Sequence, residues 1–251
     1  MRFDAYIICW NESAVLPFIL DYWKEAGVDR LIVYDNHSDE ATLALLQSIP
    51  NVEIRDFDSR GEFNDWTHAE IKNNCWKDSD ADWVFVGDTD EVPYCPMGVR
   101  RYLEERCADV DIIQPCFYNL VAWKLPQYNP LYHLHQMPGV RVCKGGPNKV
   151  NLFRPSQVRE MRFGLGAHHC QPEGAAISYR EDIAWLHCKN LGVEYLLDRN
   201  RTLYERLPEK VKAEKRIAVH YLPGTDVHNV AGGLADMWAD SMSYESCPVL
   251  I

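Results

Sequence analysis

The stretch Trp83-Val84-Phe85-Val86-Gly87-Asp88-Thr89-Asp90-Glu91 decides the fold. Its first four residues are β-branched or aromatic with no polar alternation, which suits a strand buried on both faces of a sheet. The run then ends in acids. A strand closing on Asp-X-Asp delivers two carboxylates to the carboxyl edge of a sheet, where open α/β sheets bind ligands. The two carboxylates meet on one ion directly, or one of them acts through water. Hard oxygen donors favour Mg²⁺ or Mn²⁺, ions that bridge phosphate oxygens. The plain alternative is a solvated acidic turn after a core strand.

Upstream, residues 5–10 read as a first strand, followed by Asn11-Glu12-Ser13 with Ser13 as an N-cap. Val15, Leu16, Phe18, Ile19, Tyr22, Trp23 and Ala26 recur at helical spacing, and Gly27 stands where a C-cap glycine belongs. Residues 31–34 form a second strand closed by Asp35-Asn36-His37-Ser38-Asp39, residues 42–49 a helix and 52–54 a third strand. Such alternation predicts parallel pairing with right-handed crossovers. A helix over 62–77 leads to the central strand, with Phe63, Trp66, Ala69 and Trp76 as its apolar face. Asn73 falls on that face and needs a partner there, either as a satisfied core amide or at the rim of a ligand cleft.

Downstream, Pro93 and Pro96 mark a turn before a helix over 99–107. From Asp111 onward, Pro126, Pro130 and Pro138 divide the chain into short pieces, predicted as antiparallel strands and loops. His133-X-His135 reads as a surface or core pair on one strand face. Lys144, Lys149 and Arg154 form the best basic patch in the chain. Residues 182–188 are a buried strand ending in His187, and a helix over 190–207 turns Val193, Leu196, Leu197, Leu203 and Leu207 inward. Arg199, Arg201 and Arg206 read as its solvated face. Gly232-Gly233 precedes a last helix.

Composition sets the class. The 251 residues are 47% hydrophobic and 25% charged, as in ordinary globular domains. A net charge of −11 argues against broad contact with nucleic acid or an anionic membrane, while a local basic patch can still hold a phosphate. No apolar run has transmembrane length, and Met1 leads straight into a core-like strand without a signal-peptide layout. The nine cysteines lack Cys-X-X-Cys spacing, which implies a reduced, cytoplasmic compartment. His168-His169-Cys170 with His187 and Cys188 does not have the spacing of a structural zinc module.

Three features in order carry a resemblance: Asn11-Glu12 after strand one, Asp35-Asn36-His37-Ser38-Asp39 after strand two, and Asp88-Thr89-Asp90-Glu91 after a later buried strand. Together they resemble family 2-like glycosyltransferases of the GT-A fold. Those enzymes carry an Arg-Asn pair about fifteen residues before the acidic motif, and Lys72-Asn73 occupies that place. Looser matches follow in Asn148-Lys149-Val150, His168-His169 and Leu186-His187-Cys188-Lys189.

The resemblance implies a Rossmann-like, mostly parallel α/β sheet flanked by helices, with a smaller mixed or antiparallel acceptor-side half. It implies one domain over 1–251: a nucleotide-binding half over 1–110, an acceptor-side half over 111–222 and a helical tail over 223–251. The activity implied is a metal-dependent hexosyl transfer from a nucleotide-diphosphate sugar, UDP-sugar favoured, to a glycan or glycolipid acceptor, as in polysaccharide biosynthesis. The enzyme is expected in the cytoplasm, with peripheral membrane contact allowed.

Residue by residue, Asn11, Glu12 and Asp35 would hold the base and ribose, and Lys72 and Asn73 would support the nucleotide. Asp88 would lie near the ribose or a metal-bound water, and Asp90 would ligate Mn²⁺ or Mg²⁺ with His187. Lys149 and Lys189 would neutralise phosphate. The catalytic base is open among Asp182, Glu91, His168 and His169. Glu181-Asp182 has the letters of the family's Glu-Asp pair, but precedes a strand instead of opening a helix. Acceptor choice is expected in the irregular region over 117–166.

Two rival readings remain on the residues alone. Hydrophobic strand followed by Asp-X-Asp-X-Val also fits haloacid-dehalogenase-like phosphatases, with Asp88 as nucleophile and Asp90 as general acid. A non-catalytic glycan-binding domain of the same fold is the other.

Overall fold

β1 (Phe3–Cys9) is buried along its whole length, as a central strand is; its one charged residue, Asp4, is paired with Arg30 at 2.7 Å. The computed structural model of the chain describes residues 1–146, 149–214 and 227–251. Asn148 and the expected boundary at 222–223 lie outside the described residues.

The first half alternates as the sequence predicts: α1 (Leu16–Ala26), β2 (Arg30–Asp35), α2 (Glu40–Gln47), β3 (Val52–Asp56), α3 (Asp65–Asn74) and β4 (Trp83–Asp88). β1 pairs in parallel with β2 and β4, and β2 with β3. Gly27 caps α1 at φ 73°, a left-handed conformation that a Cβ would strain. Ser13 does not cap that helix; the N-cap is Val15, without a side-chain hydrogen bond. Chain order reverses at β1, with β2 on one side and β4 on the other. Their carboxyl ends therefore open a crevice at a topological switch point.

The second half is more regular than its prolines suggest. After β5 (Glu91–Tyr94) and α4 (Val99–Arg106) come β6 (Ile112–Ala122), β7 (Val140–Lys144), β8 (Leu152–Phe153), β9 (Ile177–Leu191), α5 (Val193–Arg206), α6 (Glu209–Glu214) and α7 (Val227–Ala239). β6 and β9 are long and run parallel, a departure from the expectation, while β7 and β8 are the short antiparallel pieces that the sequence predicts. β6 tolerates Pro115 because the register shifts between Pro115 and Cys116, where a ladder N–H is not required. Antiparallel pairing joins β5 to β9, β7 to β6, and β8 to both β4 and β6. Among the described residues the strands make one nine-stranded mixed sheet, parallel throughout its first half. Gly232 and Gly233 lie within α7 and not before it.

His133 and His135 sit on a 3₁₀ turn (Leu134–Gln136), not on a strand. His135 is a core residue whose Nδ1 faces the Tyr22 hydroxyl at 2.6 Å. Among the described residues it belongs to no metal-ligating group.

β4 reaches β5 through a tight turn at Thr89-Asp90. Thr89 is buried, and both its N–H (3.1 Å) and its Oγ1 (2.7 Å) donate to the Ile8 carbonyl on β1. Cys188 N–H on β9 donates to the Asp90 carbonyl at 2.7 Å. Thr89→Val keeps the shape and loses the hydroxyl donor. It should cost about 1 kcal/mol in urea unfolding with an unchanged m-value; an unaltered midpoint would show that the hydroxyl does not hold the turn.

Candidate active site

The crevice at the carboxyl ends of β1 and β4 is a cleft of about 480 Å³. Of the residues singled out from the sequence, Glu12, Lys72, Asp88, Asp90, Glu91, Lys149, His168, His187 and Lys189 line it. Asp65, His68, Arg199 and Arg206 line it as well.

The turn at Thr89-Asp90 sends the two aspartates to different partners. Lys72 Nζ lies 2.7 Å from both oxygens of Asp88, and Lys149 Nζ lies 3.8 Å from one of them. Burial alone would raise the Asp88 carboxyl; the two ammonium groups overcome it and hold it below its ordinary range. Lys149 also pairs with Glu91. Burial pushes Glu91 up despite that partner.

Asp90 faces the other way. Its Oδ2 is 3.0 Å from the Arg199 guanidinium and 3.6 Å from His187 Nε2. Against the cost of burial, Arg199 and then His187 hold its carboxyl far below the usual range. Arg199 also reaches Glu12 Oε1 at 3.4 Å. Burial pushes Glu12 up to about 7, with Arg199 opposing. Burial, aided by Arg199, brings Lys189 down to about 8.

Sheet register explains why His187 is here. On β9 it is the cross-strand partner of Glu91 on β5 and of Asn119 on β6. Asn119 Nδ2 donates to the Gly145 carbonyl at 2.7 Å, and Asn190 Nδ2 donates to Asn119 Oδ1 at 3.2 Å. These bonds orient the amide so that Oδ1 accepts from His187 Nδ1, 3.0 Å away. Nε2 is thereby the ring nitrogen that faces the Asp90 carboxylate: as an imidazolium it donates to Asp90, and as a neutral ring it offers a lone pair to a cation shared with that carboxylate.

Asp90, Glu91 and His187 can each bring a ligand atom within 4.8 Å of the others. Two carboxylates and an imidazole fit a divalent ion, and the imidazole makes Mn²⁺ the better match than Mg²⁺, which prefers oxygen donors. Asp88, expected to share that ion, is held by its lysines and is not in this group.

Other expected residues lie elsewhere. Asn11 Oδ1 accepts from Asp39 N–H at 2.8 Å, and Asp35 Oδ2 accepts from Ser38 N–H at 3.0 Å. These two residues shape the loop after β2 and do not line the cleft. Asp35 Oδ1 is buried with no partner among the described residues. Asn73 also acts at a distance: its amide accepts from Phe163 N–H (2.8 Å) and donates to the Phe163 carbonyl (3.0 Å). It thereby pins the loop that carries His168 into the cleft. Asp182 accepts from the Tyr102 hydroxyl at 2.6 Å, and His169 packs over Gly164; neither side chain lines the cleft.

α3 and α5 correct two sequence expectations. Trp66, placed on the apolar face of α3, is 68% exposed, while Lys72 is buried on the cleft side. Arg199 and Arg206, read as solvated, face the cleft; Arg206 stacks on Trp10 at 3.4 Å, and only Arg201 is an exposed ion-pairing residue.

No family model and no curated protein matches the sequence. Among solved structures, the chain is similar to TarS 1-349 of S. aureus, at 12% identity and a TM-score of 0.46, covering 82% of this chain and 65% of that one. The chain thus spans just under two thirds of that structure's length. TarS 1-349 in complex with UDP-GlcNAc matches at 11% identity and a TM-score of 0.44, covering 94% and 81%. Glucosyl-3-phosphoglycerate synthase of Mycobacterium tuberculosis, in complex with Mn²⁺, UDP and glucosyl-3-phosphoglycerate, matches at 16% identity and a TM-score of 0.34, covering 46% and 44%.

Lys72→Met leaves Asp88 with the more distant Lys149 alone. It should cost about 2 kcal/mol at neutral pH, less than the ~3–5 of a fully orphaned buried ion. A carboxyl lowered by folding contributes stability above its unfolded pKa and loses it as pH falls through the folded one. The gap between wild type and variant should therefore close in acid, as Asp88 takes up its proton. A pH-independent gap in urea titrations would assign the loss to packing instead.

Proposed function

We propose that this chain is a metal-dependent glycosyltransferase of the family 2-like type, moving a sugar from a nucleoside-diphosphate donor, UDP favoured, to a glycan or glycolipid acceptor. The observation that carries this reading is the divided charge of the cleft. Asp90, Glu91 and His187 form a cation-ligating corner, and Lys72, Lys149, Lys189, Arg199 and Arg206 line the same space. A metal-bound diphosphate needs both: donors for the ion and fixed positive charge for the remaining phosphate oxygens. A bound Mn²⁺ supplies Lewis-acid stabilisation of the departing diphosphate.

This chain's residues do the rest. Asp90 and His187, with Glu91, would hold the ion. Lys149 and Lys189 face the charge that grows on the leaving group. Glu12 stands at the cleft wall with a carboxyl that burial has moved to about 7, a value suited to a general base near neutral pH. In the transfer, the acceptor hydroxyl gives its proton to Glu12 and its oxygen bonds to the anomeric carbon. The bond from that carbon to the β-phosphate oxygen breaks, and the nucleoside diphosphate leaves with the electron pair. Of the bases expected from sequence, Glu91 is committed to Lys149, Asp182 and His169 are outside the cleft, and His168, which lines it, is the second candidate.

The phosphatase reading requires a free Asp88 nucleophile. Both oxygens of Asp88 are held at 2.7 Å by Lys72, which disfavours attack by either. A pure binding domain has no use for five cations and a ligating corner in one cleft.

A thermal-shift panel of UDP, GDP, CDP and dTDP with and without Mn²⁺ tests the reading. Stabilisation by UDP that requires the metal is expected, about 2.7 kcal/mol at a hundredfold excess over Kd. A flat panel together with turnover of a generic phosphomonoester would replace the transferase with the phosphatase. Glu12→Gln should retain that stabilisation and lower kcat about a hundredfold or more. In wild type, kcat/KM should rise with pH through about 7 as Glu12 loses its proton; a pH-flat profile would dismiss it as the base.

A further inference from the structure

A second cavity, of about 880 Å³, adjoins the cleft. The two share Trp10, Glu12, Arg199 and Leu203, so the Glu12–Arg199 ion pair stands in the wall between them. Their chemistry differs. The first is lined by cations facing acids. The second is walled by Trp10, Trp123 and Tyr195, with the polar groups of Asn11, Glu194 and Asp198 among them. Apart from the shared Arg199, Lys124 is its only cation among the described residues, which makes it a poor place for a phosphate. Flat aromatic faces take the C–H face of a pyranose, and carboxylates and amides take its hydroxyls.

The cavity is built, not incidental. Gly192, at φ 119°, lets the start of α5 approach the loop after β6; a Cβ there would lie 2.8 Å from Leu125 N. Trp123 is 43% exposed yet backed by Trp238 of α7, with ring centroids 5.9 Å apart. Arg141 lies over the Trp238 ring at 5.2 Å and donates to Ser241. The platform is therefore held from behind before any ligand arrives. The Tyr195 hydroxyl is buried with no hydrogen-bond partner among the described residues, a polar group still to be satisfied.

We propose that this second cavity binds an uncharged sugar unit of the acceptor, stacked on Trp123, with its reactive hydroxyl directed across the shared wall at Glu12. The assignment of that sugar as acceptor rests on the transferase reading; the cavity's affinity for a sugar does not.

The test is saturation-transfer NMR on the full chain with the methyl β-glycosides of glucose, galactose, mannose and N-acetylglucosamine at millimolar concentration. Saturation of at least one glycoside is expected, undiminished by UDP with Mn²⁺, and weakened about tenfold in Trp123→Ala. The thermal shift with UDP and Mn²⁺ should be unchanged in that variant, which also reports that it is folded. No transfer to any glycoside, displacement by UDP, or an undiminished signal in Trp123→Ala would each overturn the proposal. Glycoside binding at Trp123 with no nucleotide stabilisation in wild type would keep the sugar site and remove its role as an acceptor subsite of a transferase.

Discussion

The turn at Thr89-Asp90, bonded to the Ile8 carbonyl on one side and to Cys188 N–H on the other, fixes everything around it. It joins the parallel half of the sheet to β5 and β9 of the mixed half. It also separates two carboxylates that an extended chain would leave two residues apart on one face. Asp88 goes to Lys72 and Lys149, and Asp90 to Arg199 and His187. One backbone feature thus produces two electrostatic environments within a single cleft.

Those environments are costly to bury. Each carboxylate pays for desolvation through an opposite charge placed by a different element: Lys72 by α3, Lys149 by the segment before β8, Arg199 by α5. The arrangement satisfies the acids without filling the cleft, and Arg199 occupies the side of Asp90 that faces Glu12. Buried ion pairs of this kind add little to stability over apolar packing; under the proposed function they stand ready for a charged ligand, as electrostatic preorganisation demands.

Much of this was legible in the sequence, and the failures have physical causes. The uninterrupted run Val84-Phe85-Val86 and the strand–helix alternation before it determine the switch-point crevice. His187 at the end of a buried run falls on the site because register pairs it with Glu91, a relation no local pattern reveals. Arg199 was misread as solvated, although Leu196, Arg199, Leu203 and Arg206 follow one helical stripe at spacings of three, four and three. Arginine on an apolar stripe signalled a charged cleft. Likewise Asp65, His68 and Lys72 share a face of α3, and that polar stripe, not the one bearing Trp66, turns towards β4. Asn73, a polar residue on an apolar face, admits two readings, a satisfied amide or a group at a cleft rim; the backbone of Phe163, ninety positions away, satisfies it. The second cavity depends on contacts between the loop after β6 and α5, which sequence periodicity does not encode.

The most direct measurement is pulsed electron paramagnetic resonance of Mn²⁺ bound to the protein in the presence of UDP. Hyperfine coupling from an imidazole nitrogen and from phosphorus on the same ion is the expected result, with the nitrogen coupling lost in His187→Gln. Mn²⁺ carrying only solvent couplings, or a nitrogen coupling that survives the substitution, would contradict a metal–diphosphate site at Asp90 and His187.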